Sequence, residues 1–333
     1  MAFSHITVEN FTVFEKLDLR LSPGINVLIG ENGMGKTHIM KLLYSAGKAV
    51  RRDISFSHKV LSVFLPDDSG ISRLVSRRKG IDNASVTVYT GTCSLSMRFN
   101  KKTTKWNAEV LGEPNWEEQL AGQNFVFIPA KEILSNGWHF EAAVRMGNVE
   151  FDDTYVDVVS AAKIDLGGDD KSQKKYLDIL QKATSGKVEL EKDRFYLKKG
   201  PSRLEFSLVA EGIRKLALLW QLIKNGALEC GDVLFWDEPE ANLNPKYIPV
   251  VAEILLELQR DGIQVFVSTH DYFLSKYFEI RRQKDDAILY HSLYSAGDTV
   301  LCESQARLDQ LEHNVIQDIF IQMYREEIEK AMG

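Results

Sequence analysis

Gly30-Glu31-Asn32-Gly33-Met34-Gly35-Lys36-Thr37 follows the apolar run Ile25-Asn26-Val27-Leu28-Ile29 and leads into residues 37–50, which have helical spacing. The pattern G-x-x-x-x-G-K-T on a strand-to-helix turn is a phosphate-binding loop. Gly30, Gly33 and Gly35 let the backbone turn its N–H groups toward phosphate oxygens, and the start of the helix adds positive potential. Lys36 has the reach for β- and γ-phosphates, Asn32 stands on the phosphate side of the loop, and the Thr37 hydroxyl suits Mg2+. The expected ligand is a nucleoside triphosphate accompanied by Mg2+.

Farther along, Asp232-Val233-Leu234-Phe235-Trp236-Asp237-Glu238 is an apolar strand ending in two adjacent carboxylates, the Walker B pattern. Side chains alternate along a strand, but the chain turns at its end, so two neighbouring acids can divide the work there. Asp237 is expected to hold Mg2+ through its water shell, and Glu238 to orient and deprotonate the attacking water. Next come Pro239-Glu240-Ala241-Asn242-Leu243-Asn244-Pro245, a helical stretch to Asp261, Gly262 as its stop, and a strand over residues 263–267. That strand ends in Ser268-Thr269-His270-Asp271, which brings the His270 imidazole toward the γ-phosphate, where it can sense charge and stabilise the transferred group. Glu238, His270 and Lys36 are therefore the candidate catalytic residues, and Thr37 and Asp237 the metal-holding pair.

The opening Ile6-Thr7-Val8-Glu9-Asn10-Phe11, the loop at Gly30 to Thr37, the run Trp236 to Pro245 and the Ser-Thr-His-Asp segment together carry a family likeness. They resemble the ABC-type ATPases of the SMC, RecF and OLD branch. More closely, they resemble the compact stand-alone ATPases of that branch in bacterial anti-phage and abortive-infection systems. The resemblance covers most of residues 1–50 and 204–280 and is weak in between. It implies an α/β P-loop NTPase, the ABC ATPase head, with a mixed β-sheet core, an antiparallel β layer and a helical lobe. On this reading residues 1–333 form one two-lobed head, with a nucleotide-binding lobe over 1–130 and 204–300, an inserted helical and hairpin lobe over 131–203, and a helical tail over 301–333.

ATP rather than GTP also follows from the resemblance, as does a homodimer that sandwiches two ATP molecules head to head. Such a dimer needs a segment that completes the partner's site, usually a Ser-x-Gly turn opening a helix before Walker B. Here that place is taken by Ala210, Glu211 and Gly212, with the helix-start N–H groups of Glu211 and Gly212 and either Arg214 or Lys215 offered to phosphate, and the helix running on to Lys224. Ala210 stands where the family often has Ser, and the missing hydroxyl removes a hydrogen bond worth about 0.5–1.5 kcal/mol, which points to slow hydrolysis. A second departure follows the strand at residues 124–128, where Pro129-Ala130-Lys131-Glu132 lacks the Gln the family often offers to Mg2+ and water. Lys131 or Glu132 is left to couple nucleotide to lobe movement.

Composition sets the outer bounds. The chain has 333 residues, 44% hydrophobic and 26% charged, an ordinary globular balance with room for one large two-lobed unit. No run reaches membrane-spanning length and residues 1–9 lack a secretory signal, so a cytoplasmic location without membrane contact is expected. Cys93, Cys230 and Cys302 are widely spaced and read as reduced thiols. A formal net charge of −6 argues against a wholesale basic coat for nucleic acid. Local basic clusters at Arg51-Arg52, Arg77-Arg78-Lys79, Lys101-Lys102 with Lys105, and Lys198-Lys199 with Arg203 keep DNA or RNA binding open beside the alternative of solvated turns.

Residues 84–111 read as short strands of an antiparallel layer, residues 161–184 as helical, and residues 187–190 and 194–197 as a hairpin turning at Lys192-Asp193. No heptad repeat persists, which excludes the long coiled-coil arm of SMC proteins. Leu308, Leu311, Val315, Ile316, Ile319, Phe320, Met323 and Ile328 recur at helical spacing, either to pack on the chain's own core or to dock a partner. The leading functional reading is an ATP-driven dimer switch that controls a separate effector, a nuclease or toxin, in anti-phage defence. The alternatives are the nucleotide-binding subunit of a membrane transporter, which the absent L-S-G-G-Q turn disfavours, and an ATP sensor with little turnover, which Ala210 keeps open.

Overall fold

The computed structural model describes residues 3–50, 54–165 and 173–332, so Arg51-Arg52 and part of the stretch 161–184 lie outside the described residues. The chain begins with β1 (Phe3–Phe11), β2 (Phe14–Arg20), β3 (Ile25–Gly30), α1 (Lys36–Lys48) and α2 (Phe56–Phe64). Next are β4 (Asn83–Thr90), β5 (Ser94–Asn100), β6 (Glu109–Leu111), α3 (Glu113–Leu120) and β7 (Phe125–Ile128). The middle holds α4 (Phe140–Arg145), α5 (Asp153–Lys163), α6 (Lys174–Thr184), β8 (Lys187–Glu191), β9 (Arg194–Lys199) and β10 (Ser202–Glu205). There follow α7 (Glu211–Lys224), β11 (Val233–Asp237), α8 (Ile248–Arg260), β12 (Gln264–Ser268) and α9 (Tyr272–Arg281). The last elements are β13 (Ile288–Ala296), β14 (Thr299–Gln305) and α10 (Val315–Met332).

A six-stranded sheet of order β14-β13-β3-β12-β11-β7 is the centre of the molecule. Five strands, β13 to β7 in that order, run parallel, and β14 pairs antiparallel with β13. Every residue of β3, β11, β12 and β7 is buried, as continuous apolar runs covered on both faces require. Alternation splits these strands between two cores. Val27, Ile29, Leu234, Trp236, Val265 and Val267 face one cluster built with α7, α8 and α9. Leu28, Phe235 and Phe266 face the other, where Ile39, Met40 and Leu43 of α1 meet Val8, Val86 and Met97.

The second core explains the antiparallel layer. Strands β2-β1-β4-β5-β6 form a five-stranded antiparallel sheet whose apolar face covers α1, so α1 lies sandwiched between two sheets. That burial fixes the helix immediately behind the phosphate loop. A separate three-stranded antiparallel sheet, β10-β9-β8, packs its Val188, Phe195 and Leu197 with α5, α6 and α7. The β8–β9 turn falls at Lys192 and Asp193, both at positive φ (48° and 66°), the backbone that a tight hairpin needs.

Helix starts follow local chemistry. Asp152 caps α5 by accepting from Thr154 N–H at 2.9 Å, and Asp271 caps α9 by accepting from Leu274 N–H at 2.6 Å. Helix α1 is different. Its N-cap is Gly35 at φ 86°, with no side chain to cap it, which leaves its first N–H groups for another acceptor. A Cβ at Gly35 would lie 2.4 Å from the Phe14 ring, so both the backbone conformation and the close approach require glycine.

Candidate nucleotide site

The phosphate loop, His270 and Glu238 leave the carboxyl ends of three adjacent parallel strands, β3, β12 and β11, the edge where open α/β sheets bind ligands. Thr37 Oγ1 donates to Asp237 Oδ2 at 3.0 Å, joining two motifs far apart in sequence. Ser268 Oγ donates to Asp237 Oδ1 at 2.5 Å from the neighbouring strand. Burial pushes the Asp237 carboxyl upward, and the Ser268 and Thr37 hydroxyls oppose that rise. A hydroxyl and a carboxylate side by side are hard oxygen donors of the kind Mg2+ takes when a nucleotide supplies the remaining ligands, so the pair fits that ion.

Lys36 Nζ donates to the carbonyls of Gly30 and Glu31, both at 2.9 Å, and the side chain is buried. Burial lowers its pKa, while Asp237, Glu238 and Glu240 oppose the shift. The ammonium therefore sits inside the loop, stored on carbonyl oxygens that a phosphate can replace. Glu238 adopts φ 46°, a left-handed backbone uncommon for a side chain of its size, and its N–H donates to Ser268 O at 3.0 Å. Its carboxylate is 38% exposed and lies 3.6 Å from His270 Nε2, which leaves room for a water to meet both. Burial and then the Lys36 charge lower the His270 pKa against the pull of Glu238, so the imidazole is neutral at pH 7.

Glu240, which no sequence argument assigned a role, holds this edge together. Its Oε1 accepts from Thr269 Oγ1 at 2.7 Å and from His270 N–H at 3.0 Å. It thereby ties the turn after β11 to the turn that presents the imidazole.

The start of α7 gives a mixed outcome. Ala210 is the N-cap, exposed and without a side-chain cap, and Glu211 opens the helix beside it. Gly212 instead is buried against its own chain, because a Cβ there would stand 2.6 Å from Asn242 O and 2.8 Å from Leu243 Cα. Gly212→Ala is expected to cost about 1–3 kcal/mol through this overlap, read as a lower unfolding midpoint in denaturant; an unchanged midpoint would remove the packing role.

Arg214 and Lys215 are not offered to phosphate, which corrects the expectation from sequence. Arg214 Nε donates to Glu132 Oε2 at 2.5 Å, and its Nη1 donates to Val209 O at 2.6 Å and Phe206 O at 3.1 Å. The Glu132 side chain is fully buried by this pair, so the segment after β7 is bolted to the start of α7. Lys215 is only 1% exposed and donates from Nζ to Glu238 O at 3.1 Å. Burial lowers its pKa, and Glu211, Glu240, Glu238 and Asp237 oppose that fall.

Helix α5 reaches the same edge. Asp152 Oδ2 accepts from Lys41 Nζ of α1 at 2.8 Å, and Lys59 Nζ donates to Asp153 and Asp157, each at 2.7 Å. Tyr155 is pushed up to about 12 by burial and then by Asp152 and Asp237, with the backbone amide of Lys131 opposing. Its hydroxyl thus faces the place after β7 where the family often has Gln. Some residues of the basic clusters are paired internally. Arg78 pairs with Glu15 at 2.5 Å, Lys198 pairs with Glu189 at 2.7 Å, and Arg203 pairs with Glu191 while stacking on Tyr196. Among the described residues no helix is long and apolar enough to cross a membrane.

Comparison with known proteins agrees with this geometry. Residues 163–276 match the family model described as "AAA domain, putative AbiEii toxin, Type IV TA system", and residues 1–88 match the one described as "AAA ATPase domain". The DNA replication and repair protein RecF of Edwardsiella ictaluri is 33% identical over 90 residues, 24% of this chain and 25% of RecF. RecF of Lactobacillus acidophilus is 41% identical over 44 residues, 13% of this chain and 12% of RecF. The chain therefore matches about a quarter or less of the length of these relatives.

Among solved structures, an SMC head bound to the C-terminal winged-helix domain of ScpA superposes with a TM-score of 0.61 at 13% identity, covering 93% of this chain and 99% of that one. An SMC head with an extended coiled coil, bound to the C-terminal domain of ScpA derived from Pyrococcus furiosus, gives 0.57 at 13% identity over 97% and 99%. At that identity the likeness establishes the fold, a mixed α/β P-loop ATPase head.

Proposed function

We propose that this SMC- and RecF-like ABC-type ATPase is a dimeric switch that binds ATP with Mg2+, hydrolyses it slowly, and controls a separate effector protein. The observation that carries the reading is the convergence of Thr37 with Asp237 at 3.0 Å, beside Glu238 and His270, on one sheet edge. Lys36 would leave the Gly30 and Glu31 carbonyls to bind the β- and γ-phosphates. Thr37 and Asp237 would hold Mg2+, whose positive charge stabilises the transferred phosphoryl group. Glu238 would take the proton of the attacking water, and His270, neutral at pH 7, would donate its ring N–H to a γ-phosphate oxygen.

The exposed Ala210 N-cap supports a dimer, since the open start of α7 offers N–H groups to a second copy's nucleotide. ATP then closes two heads through contacts absent from the open state, and hydrolysis releases them. The matching family model, described as a putative AbiEii toxin of a Type IV TA system, supports a toxin as the effector, and a nuclease in anti-phage defence extends that reading. Nucleic acid is a weaker partner, because the net charge is −6 and Arg78, Lys198 and Arg203 of the basic clusters are paired within the chain.

The test is the solution mass of Glu238→Gln with ATP and Mg2+. A dimer that forms only with nucleotide is expected, and Lys36→Ala should lose both ATP binding and the dimer. A Glu238→Gln protein that binds ATP yet stays monomeric at micromolar concentration would sink the switch and leave an ATP sensor.

A further inference from the structure

Among the described residues no hydrogen bond holds the His270 imidazole, since the Glu238 carboxylate, 3.6 Å from Nε2, lies beyond bonding distance. Its place is set by the backbone of the turn that carries it. Thr269 N–H donates to Leu28 O of β3 at 3.0 Å, and Asp271 N–H donates to Thr269 Oγ1 at 3.0 Å. His270 N–H, between them, donates to Glu240 Oε1 at 3.0 Å, and the Thr269 hydroxyl donates to the same oxygen at 2.7 Å. One carboxylate oxygen thus receives both donors that fix the turn at His270.

Glu240 reaches that turn from the end of the neighbouring strand, β11. Glu238 at φ 46° and Asn242 at φ 61° bend the chain on either side of it, and Leu243 N–H donates to Glu240 O at 2.9 Å. Leu243 is buried, and with Asn242 it lies against Gly212 of α7 so closely that a larger residue there would overlap it. Lys215, one turn farther along α7, holds Glu238 O. The bend from which Glu240 extends is therefore anchored on α7 at two points, and the carboxylate spans from it to the end of β12.

The two carboxylate oxygens differ. Oε1 takes both hydrogen bonds, whereas Oε2 is buried and has no hydrogen-bond partner among the described residues. Both donors are neutral, so fixing the turn calls for an acceptor oxygen and not for a charge. An amide oxygen in the same place accepts the same pair. A side chain without an acceptor leaves the Thr269 hydroxyl and the His270 N–H orphaned and loosens the turn. With one oxygen occupied and the other buried, Glu240 is not placed to take a proton from water.

We propose that Glu240 is a positioning residue of the hydrolytic site, which as a hydrogen-bond acceptor holds the Thr269-His270 backbone so that the imidazole meets the γ-phosphate. The role rests on the ATP hydrolysis proposed above and adds to it a residue that acts through His270 alone. The test measures kcat and KM for ATP by phosphate release in the parent, Glu240→Ala, Glu240→Gln, His270→Ala and the Glu240→Ala, His270→Ala double variant.

Glu240→Ala is expected to lower kcat by about ten- to a hundredfold with KM within about twofold, the pattern of a displaced catalytic group with nucleotide binding intact. Glu240→Gln is expected to recover kcat to within about threefold of the parent, because its amide oxygen accepts both bonds. The double variant should fall within about twofold of His270→Ala, since the two residues act as one unit. Should Glu240→Ala fail to fold, Thr269→Val deletes one of the two bonds, and a loss of about three- to tenfold is expected that disappears in the His270→Ala background.

Glu240→Gln as slow as Glu240→Ala would overturn the proposal by giving the work to the charge. Losses that multiply in the double variant, or that persist for Thr269→Val in the His270→Ala background, would overturn it by showing a route that bypasses His270. Glu240→Ala at the parent's rate would show that the turn keeps its place without the carboxylate. Each of these leaves ATP hydrolysis standing, whereas a parent that releases no phosphate would overturn the ATPase reading and this role together.

Discussion

Glu238→Gln is expected to lower steady-state ATP turnover by about 10²–10⁴-fold, the usual contribution of a positioned general base, while ATP affinity stays near that of the parent. The amide keeps the shape of the carboxylate but takes no proton from water. The site marks Glu238 for this role over its neighbours by exposure and partners. Asp237 is buried, already hydrogen-bonded by Thr37 and Ser268, and Glu240 spends an oxygen on Thr269 and His270. Glu238 alone has a half-open carboxylate, 3.6 Å from an imidazole, with its backbone fixed at both ends. Phosphate release under saturating ATP is the measurement. Turnover preserved in Glu238→Gln, or lost equally in Glu240→Gln, would move the base elsewhere.

Much of this edge was legible in the sequence because its parts are local. A strand buried on both faces reads as an unbroken apolar run, and β3, β11 and β12 each carry one, ending in the loop, the two acids and the Ser-Thr-His turn. The β8–β9 hairpin was equally readable from Lys192-Asp193 between two alternating runs. Its third strand, β10, is short and follows Gly200-Pro201, so it has no pattern of its own. What stayed hidden depends on side chains from distant segments that meet only after folding. Glu132 with Arg214, Asp152 with Lys41, and Lys59 with Asp157 are each separated by about eighty residues or more and share no spacing rule. Arg214 and Lys215 were misplaced for the same reason. Basic residues at a helix start suit phosphate, and nothing local shows that Glu132 and the Glu238 carbonyl have already taken them.

Lys215 supplies the second large effect. Its ammonium is almost wholly buried, and burial lowers its pKa, yet the described structure gives it a carbonyl rather than a carboxylate as its hydrogen-bond partner. That carbonyl belongs to Glu238, whose left-handed backbone at φ 46° persists only while the surroundings hold it. Ser268 O accepts from the Glu238 N–H at 3.0 Å, and the Glu238 carbonyl accepts from Lys215 Nζ and from the Ala241 N–H, both at 3.1 Å. Removing the lysine leaves the carbonyl to the Ala241 N–H alone and loosens the peptide, which displaces the carboxylate from the attacking water, and a shift near 1 Å costs about 10²-fold in rate.

Lys215→Met is therefore expected to lower kcat by about ten- to a hundredfold with KM for ATP nearly unchanged, because Lys36, Thr37 and the loop are untouched. Met fills a similar volume without a charge, so stability should hold, and Lys215→Arg should restore part of the rate by donating to the same oxygen. A purely structural lysine would instead lower kcat only in step with the unfolding midpoint and would gain nothing from arginine. Unaltered kcat in Lys215→Met would show that the peptide of Glu238 keeps its conformation without that bond.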